Sequence, residues 1–436
     1  HRLALRQFQA QHPCIVALYC NLHIINLFFK DVFSKIPSLR DLWGHVNQTV
    51  LQFRRTRFLR EALLAAQEED PTVMEACKGE GPGTSQAVGY IGHAKTRCAS
   101  KYMVCERAKR VNPAARVVVA SAKFAVRYEQ QTAEDKAADS DDDLVPREKR
   151  KKSAILADSK GNFIQSNNQQ SLLDATVDIL RSSYKLMKLV DSDKLCIGKV
   201  WRRAWQVWQG LKAAEDKDGR FVGVASLWYT RWREFHHPAM SLAYVLMPEY
   251  WACRPWSEPE VAADSEKMLQ RYFPETEDRS LVLVALGRYK ARTGPFRLYT
   301  PSGVKNAIWE DACIVRMSPW SWWDEVLSAV VLHNMDDLQM VRAYANLRKC
   351  ARDVLRIGVA AGCTERMFSG WQHILGTKRL RMSRKRQRNE MNVLVSDKLL
   401  RYSGEEFHAD CDSSSDSSSE EDDMPLSLVF GEGCVS

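Results

Sequence analysis

Between Leu22 and Pro37 the apolar residues Ile25, Phe28, Phe29, Val32, Phe33 and Ile36 recur every three or four positions. That spacing lines one face of an α-helix, and Pro37 forces the preceding residue out of helical backbone, so the helix ends there. A stripe this rich in phenylalanine must be buried, which obliges the rest of the chain to supply covering elements. Helical periodicity returns over residues 42–66, 172–187, 200–214, 241–246, 280–292, 322–332, 340–358 and 365–375. The last two form a pair around the break Gly358-Val359-Ala360-Ala361-Gly362. Residues 15–19, a short apolar run ahead of Asn21, read as a buried strand, and the Gly-rich residues 79–92 as a loop. The pattern predicts a mostly helical chain with a small strand component.

The chain has 436 residues, 45% of them hydrophobic, enough for one large or two ordinary cores. No run of about 18 uncharged apolar residues suggests a membrane span. Twelve scattered cysteines without disulfide-type spacing fit reduced thiols in the cytosol or nucleus. The first residue is His, and the expectation is a chain that begins late. The net charge of +9 is unevenly spread. Glu134, Asp135, Asp139 and Asp141–Asp143 are acidic, and Arg147–Lys152 follow as a basic run with the look of an import signal. Lys378, Arg379, Arg381, Arg384, Lys385, Arg386 and Arg388 form a second basic cluster, and residues 410–423 are Ser and acid apart from Cys411. The acidic tail hides the positive field of the rest.

Residues 363–381 read Cys-Thr-Glu-Arg-Met-Phe-Ser-Gly-Trp-Gln-His-Ile-Leu-Gly-Thr-Lys-Arg-Leu-Arg. The block resembles the C-terminal signature of hAT-family DNA transposases, small-x-x-Glu-Arg-x-Phe-Ser followed by Thr-Lys-Arg-x-Arg. Other stretches in matching order strengthen the resemblance. Cys20 and His23 look like the family's Cys-x-x-His helix start. His93–Ser100 resembles its Thr-Arg-aromatic-x-Ser segment, with Cys98 where an aromatic is expected. Residues 189–194, 231–238 and 319–323 resemble parts of its helical insertion and terminal region.

The resemblance implies an α/β fold, mostly α: a partial RNase H-like mixed sheet, interrupted by a large all-helical insertion and closed by C-terminal helices. Residues 1–128 would hold the late strands and helices of that core, with strands near 15–19 and 96–99. Residues 129–168 would be a disordered charged insert, 169–318 the helical insertion, 319–403 the closing helices with the dimerisation region, and 404–436 a disordered tail. Glu365 would be the third carboxylate of the catalytic site, and Phe368 and Trp371 would serve dimerisation. Cys20 and His23 would sit beside the catalytic centre.

Cleavage of a phosphodiester by this chemistry needs two divalent ions, Mg2+ or Mn2+, held by two Asp and one Glu. Residues 1–30 contain no Asp or Glu, and Asp31, the first acid, lies in the helix after His23. The expectation is therefore a remnant that is not an enzyme and holds no cofactor, with Mg2+ or Mn2+ expected only of an intact transposase. DNA would be held by its backbone, through Arg97 and the Lys378–Arg388 cluster. Cysteine at 98 removes an aromatic face on which a base could stack.

Cys20 and His23 have metal-like spacing, but a structural zinc site wants four ligands, so they read as packing residues and no metal is assigned. Asp191 and Asp193 read as turn or cap residues, and of His236 and His237 one is expected to be buried and hydrogen-bonded. Trp201, Trp205 and Trp208 form a stripe suited to core packing. The overall expectation is a nuclear, transposase-derived protein that binds DNA and forms a homodimer or higher homo-oligomer. The alternatives are a fragment of an active cut-and-paste transposase, and a helical protein-interaction module without a DNA role.

Overall fold

A computed structural model describes residues 16, 18–78, 86–94, 99–124, 126, 162–192, 197–298, 306–310, 314, 317–328 and 337–359. Among these described residues there is no strand, so the expected α/β class with an RNase H-like sheet is corrected to a mostly helical one. Val16, Leu18 and Tyr19 have no regular structure, and the Asn21 N–H just beyond them donates to the Val359 carbonyl at 3.2 Å. A run of five apolar residues carries no period of its own, and it becomes a strand only when a neighbour accepts its ladder. Ala99, at the other expected strand, has left-handed backbone (φ 48°) and opens a long helix.

Two compact units divide the chain, and both are discontinuous. One comprises His23–Met187 and Gln206–Glu234, the other His1–Leu22, Lys188–Trp205 and Phe235–Ser436. The first contains nearly all of α1 (Asn21–Lys35), then α2 (Pro37–Arg55), α3 (Arg57–Glu69), α4 (Pro71–Ala76), α5 (Ser100–Ala120) and α6 (Asn162–Gln165). It takes most of α7 (Asn167–Asp191), the end of α8 (Ile197–Lys217) and most of α9 (Val224–Phe235). The α1 stripe is buried as its spacing demands, with Ile25, Phe28 and Val32 wholly shielded. Phe28 meets Trp228 of α9 edge to face at 5.0 Å, and Phe29 meets Tyr102 of α5. Each such side chain contributes about 1.5–3 kcal/mol by leaving water.

The pattern over residues 42–66 resolves into two helices. Thr56 takes extended backbone (φ −93°, ψ 113°), ends α2 and starts α3. A chain of amides and a buried phenol crosses this unit. The Tyr90 hydroxyl donates to Asn112 at 2.7 Å, Asn112 donates to Gln170 at 2.7 Å, and Gln170 donates to the Phe163 carbonyl. Gln67 fastens the segment before Tyr90 by giving and receiving bonds with the Val88 backbone.

The second unit contains α10 (Pro238–Val245), α11 (Pro259–Tyr272), α12 (Thr276–Lys290), α13 (Pro319–Val326) and α14 (Leu338–Leu355). α14 packs on α12 and α13, and α10 packs on α11. The core is aromatic: Tyr289, Phe296, Trp309, Trp322, Trp323 and Tyr344 lie in ring contact. Buried indole N–H groups need acceptors, and for three of them backbone carbonyls serve. Trp323 donates to Leu246, Trp322 to Ile308 and Trp309 to Phe296, at 2.8, 2.7 and 2.9 Å. Trp201 and Trp205, read from sequence as core residues, are buried and stacked on each other. Leu347, Val354 and Leu355, apolar residues ahead of Glu365, are consumed by this core, while Leu338 is 81% exposed.

Candidate functional site

Most residues singled out for function lie outside the described residues: Arg97, Glu365, Phe368, Trp371 and the Lys378–Arg388 cluster. Cys20 is a half-buried free thiol just ahead of α1, and His23 is exposed on its first turn. Among the described residues no third side chain joins them as a metal ligand. Asp191 is the last residue of α7, and the turn after it is closed by the Ser192 hydroxyl donating to the Leu189 carbonyl at 2.6 Å. Among the described residues no helix is long and apolar enough to cross a membrane.

Asp31 is engaged by cations. The Arg231 Nε donates to Asp31 Oδ2 at 2.9 Å, its Nη1 donates to Glu234 at 2.8 Å, and Lys35 lies 3.2 Å from Asp31. Burial opposes the Arg231 charge, yet the bonds to Asp31 and Glu234 outweigh it and hold the guanidinium above its ordinary range. Asp31 is therefore a structural anion two hundred residues from its partner in sequence, a pairing that no local motif announces.

In the same unit, Arg54, Arg55, Arg57 and Arg60 are exposed around the Thr56 break. Arg57 pairs with Glu61 at 2.6 Å. Arg54, Arg55 and Arg60 have no ion-pair partner among the described residues. The sequence signal was plain, four arginines in seven positions, but it fell inside a stretch read only as helix.

A denser constellation forms where α9 hands over to α10. His237 caps α10, its Nδ1 accepting the Ala239 N–H at 3.1 Å. Burial, with Arg271 nearby, pushes the His237 imidazole down to about 4, so it stays neutral in its capping role. His236 turns the other way, toward α11. Its Nε2 lies 3.3 Å from Asp264 Oδ2 and 3.4 Å from the Ser241 hydroxyl, and its Nδ1 lies 3.8 Å from Glu260 Oε1. Ser241 donates to Asp264 Oδ2 at 3.3 Å, and Lys267 to Oδ1 at 3.0 Å. Burial holds His236 below its ordinary range. Asp264 opposes that shift and Lys267 adds to it. Both histidines are thus half-buried and bonded, where the sequence suggested one of them. Glu260 and Asp264 were missed, although their i, i+4 spacing puts them on one face of α11. Ser241 is wholly buried, so its hydroxyl is not presented at the surface.

No protein-family model matches the chain, and no curated protein matches it.

Proposed function

We propose that this chain is a nuclear, transposase-derived protein that holds DNA by its phosphate backbone, self-associates, and does not cut DNA. The observation that carries the reading is the set of exposed arginines at the α2–α3 break, Arg54, Arg55 and Arg60, left without acidic partners among the described residues. Cations in that condition are the sequence-independent means by which proteins hold duplexes, each neutralised phosphate releasing counterions. The resemblance of residues 363–381 to the hAT signature and the basic cluster beginning at Lys378 support the same reading from sequence. So does Asp31, whose carboxylate is occupied by Arg231 and Lys35 instead of standing open to a metal.

The test is a salt titration of duplex binding followed by fluorescence anisotropy. Replacing Arg54, Arg55 and Arg60 by Ala should make the log–log dependence of affinity on salt shallower by roughly 0.9 for each phosphate that is no longer neutralised, about 2–3 in all. Affinity should fall alike on unrelated duplexes. Wild-type protein that binds no duplex at low salt refutes the proposal and favours the protein-interaction alternative.

A further inference from the structure

We propose that His236, Glu260 and Asp264 form a binding site for a transition-metal dication of the zinc class. This rests on the geometry of the second unit alone and is independent of DNA binding.

The three side chains offer one ligand atom apiece, all within 4.8 Å of one another. A dication about 2.0–2.2 Å from N and O donors holds them roughly 3–4 Å apart. His236 Nε2 and Asp264 Oδ2, at 3.3 Å, already have that separation. Glu260 needs only a side-chain adjustment. It stands one turn before Asp264 on α11, and its side chain is 35% exposed, which leaves it room to move.

The His236 ring lies between two carboxylates, Asp264 at one nitrogen and Glu260 at the other. A neutral imidazole has a single proton to offer. With that proton on Nδ1 and turned toward Glu260, Nε2 keeps its lone pair on the side of Asp264 Oδ2 and the Ser241 hydroxyl, where a cation can take it. Burial favours the neutral ring, which is the form that binds a metal.

A dication with the two carboxylates of Glu260 and Asp264 is electrically neutral. The ammonium of Lys267 sits on Oδ1 of Asp264, opposite the proposed ligand oxygen, and its side chain is 66% exposed. It can turn to water when the ion enters. One nitrogen and two oxygens suit zinc, cobalt or manganese better than calcium or magnesium, which prefer oxygen alone. Three protein ligands leave a position for water on the side where Glu260 reaches solvent.

The supporting shell is in place without the ion. The Ser241 hydroxyl orients Asp264, and the His237 cap fixes the backbone from which His236 projects. A bound ion would therefore tie the α9–α10 link to α11.

The experiment uses the full chain stripped with a chelator, titrated with zinc by calorimetry and with cobalt by absorption. One zinc equivalent should bind, and Glu260→Gln and His236→Gln should each weaken it about tenfold or more. Cys20→Ser with His23→Gln should leave it unchanged. The cobalt form should show nitrogen and oxygen coordination without a thiolate charge-transfer band. Glu260→Gln is the decisive variant because its side chain is partly in water, and circular dichroism checks that its fold is retained. No saturable uptake at tens of micromolar zinc overturns the proposal. Uptake indifferent to both substitutions, or uptake abolished by the Cys20 and His23 changes, also overturns it.

Discussion

Replacing Arg231 by Met removes the guanidinium that joins α9 to α1 and leaves an apolar stem of similar girth. Asp31 is deprived of its bond from Nε at 2.9 Å and Glu234 of its bond from Nη1 at 2.8 Å. The side chains of Arg231, Asp31 and Glu234 are only 16%, 15% and 24% exposed, so water screens them poorly. A fully exposed pair would be worth about 0–1 kcal/mol, and stranding a fully buried charge costs about 3–5 kcal/mol. This site lies between those limits. Lys35, 3.2 Å from Asp31, keeps part of the compensation. The expected destabilisation is about 2 kcal/mol. In a double-mutant cycle with Asp31→Asn, the coupling should be about 1–2 kcal/mol, because the neutral amide no longer needs the cation. Urea unfolding read by tryptophan fluorescence and circular dichroism measures both quantities. A destabilisation below about 0.5 kcal/mol, or additive single mutants, would show that the three charges are a solvated surface group and that Asp31 is open to other partners.

Trp323→Phe leaves the buried Leu246 carbonyl without its donor and a gap in the aromatic core, and should destabilise the second unit by about 2–4 kcal/mol in chemical denaturation. An effect under about 1 kcal/mol would mean that the indole bond is not formed in solution. Phe368→Asp with Trp371→Asp should yield a folded monomer by light scattering, and a wild-type chain already monomeric at micromolar concentration would end the self-association reading. With Mg2+ or Mn2+ the purified chain should not nick duplex DNA, and metal-dependent cleavage abolished in Glu365→Gln would contradict the proposed function.

Where a segment's fate depends on one side of one helix, the sequence was a sufficient guide. The stripe from Ile25 to Phe33 names the buried face of α1 residue by residue, and the periodicity of residues 172–187 and 200–214 falls within α7 and α8. It failed where the outcome belongs to a partner. Residues 15–19 are apolar enough for a strand, yet Val16, Leu18 and Tyr19 belong to none. α5 was overlooked because it is buried on several sides, from Tyr102 to Val119, and carries an internal Pro113, which together erase a clean amphipathic signal. The candidate site shows the same division. His236 and His237 were visible as a pair, but what they do is decided by Ala239 two residues on and by Asp264 on another helix.

The helix Pro238–Val245 has no solvent side: every residue from Ala239 to Val245 is buried. Fraying gives its amide hydrogens no route to water, since no face lifts away without exposing apolar surface all round. Deuterium should enter there only when the whole unit opens, so the slowest-exchanging amides of this stretch report the unit's global free energy. The solvent-facing positions of α12, with Leu283 44% and Val284 51% exposed, exchange through smaller local openings. The seven amides from Ala239 to Val245 thus act as a built-in clock for the cooperative unfolding of everything packed around them.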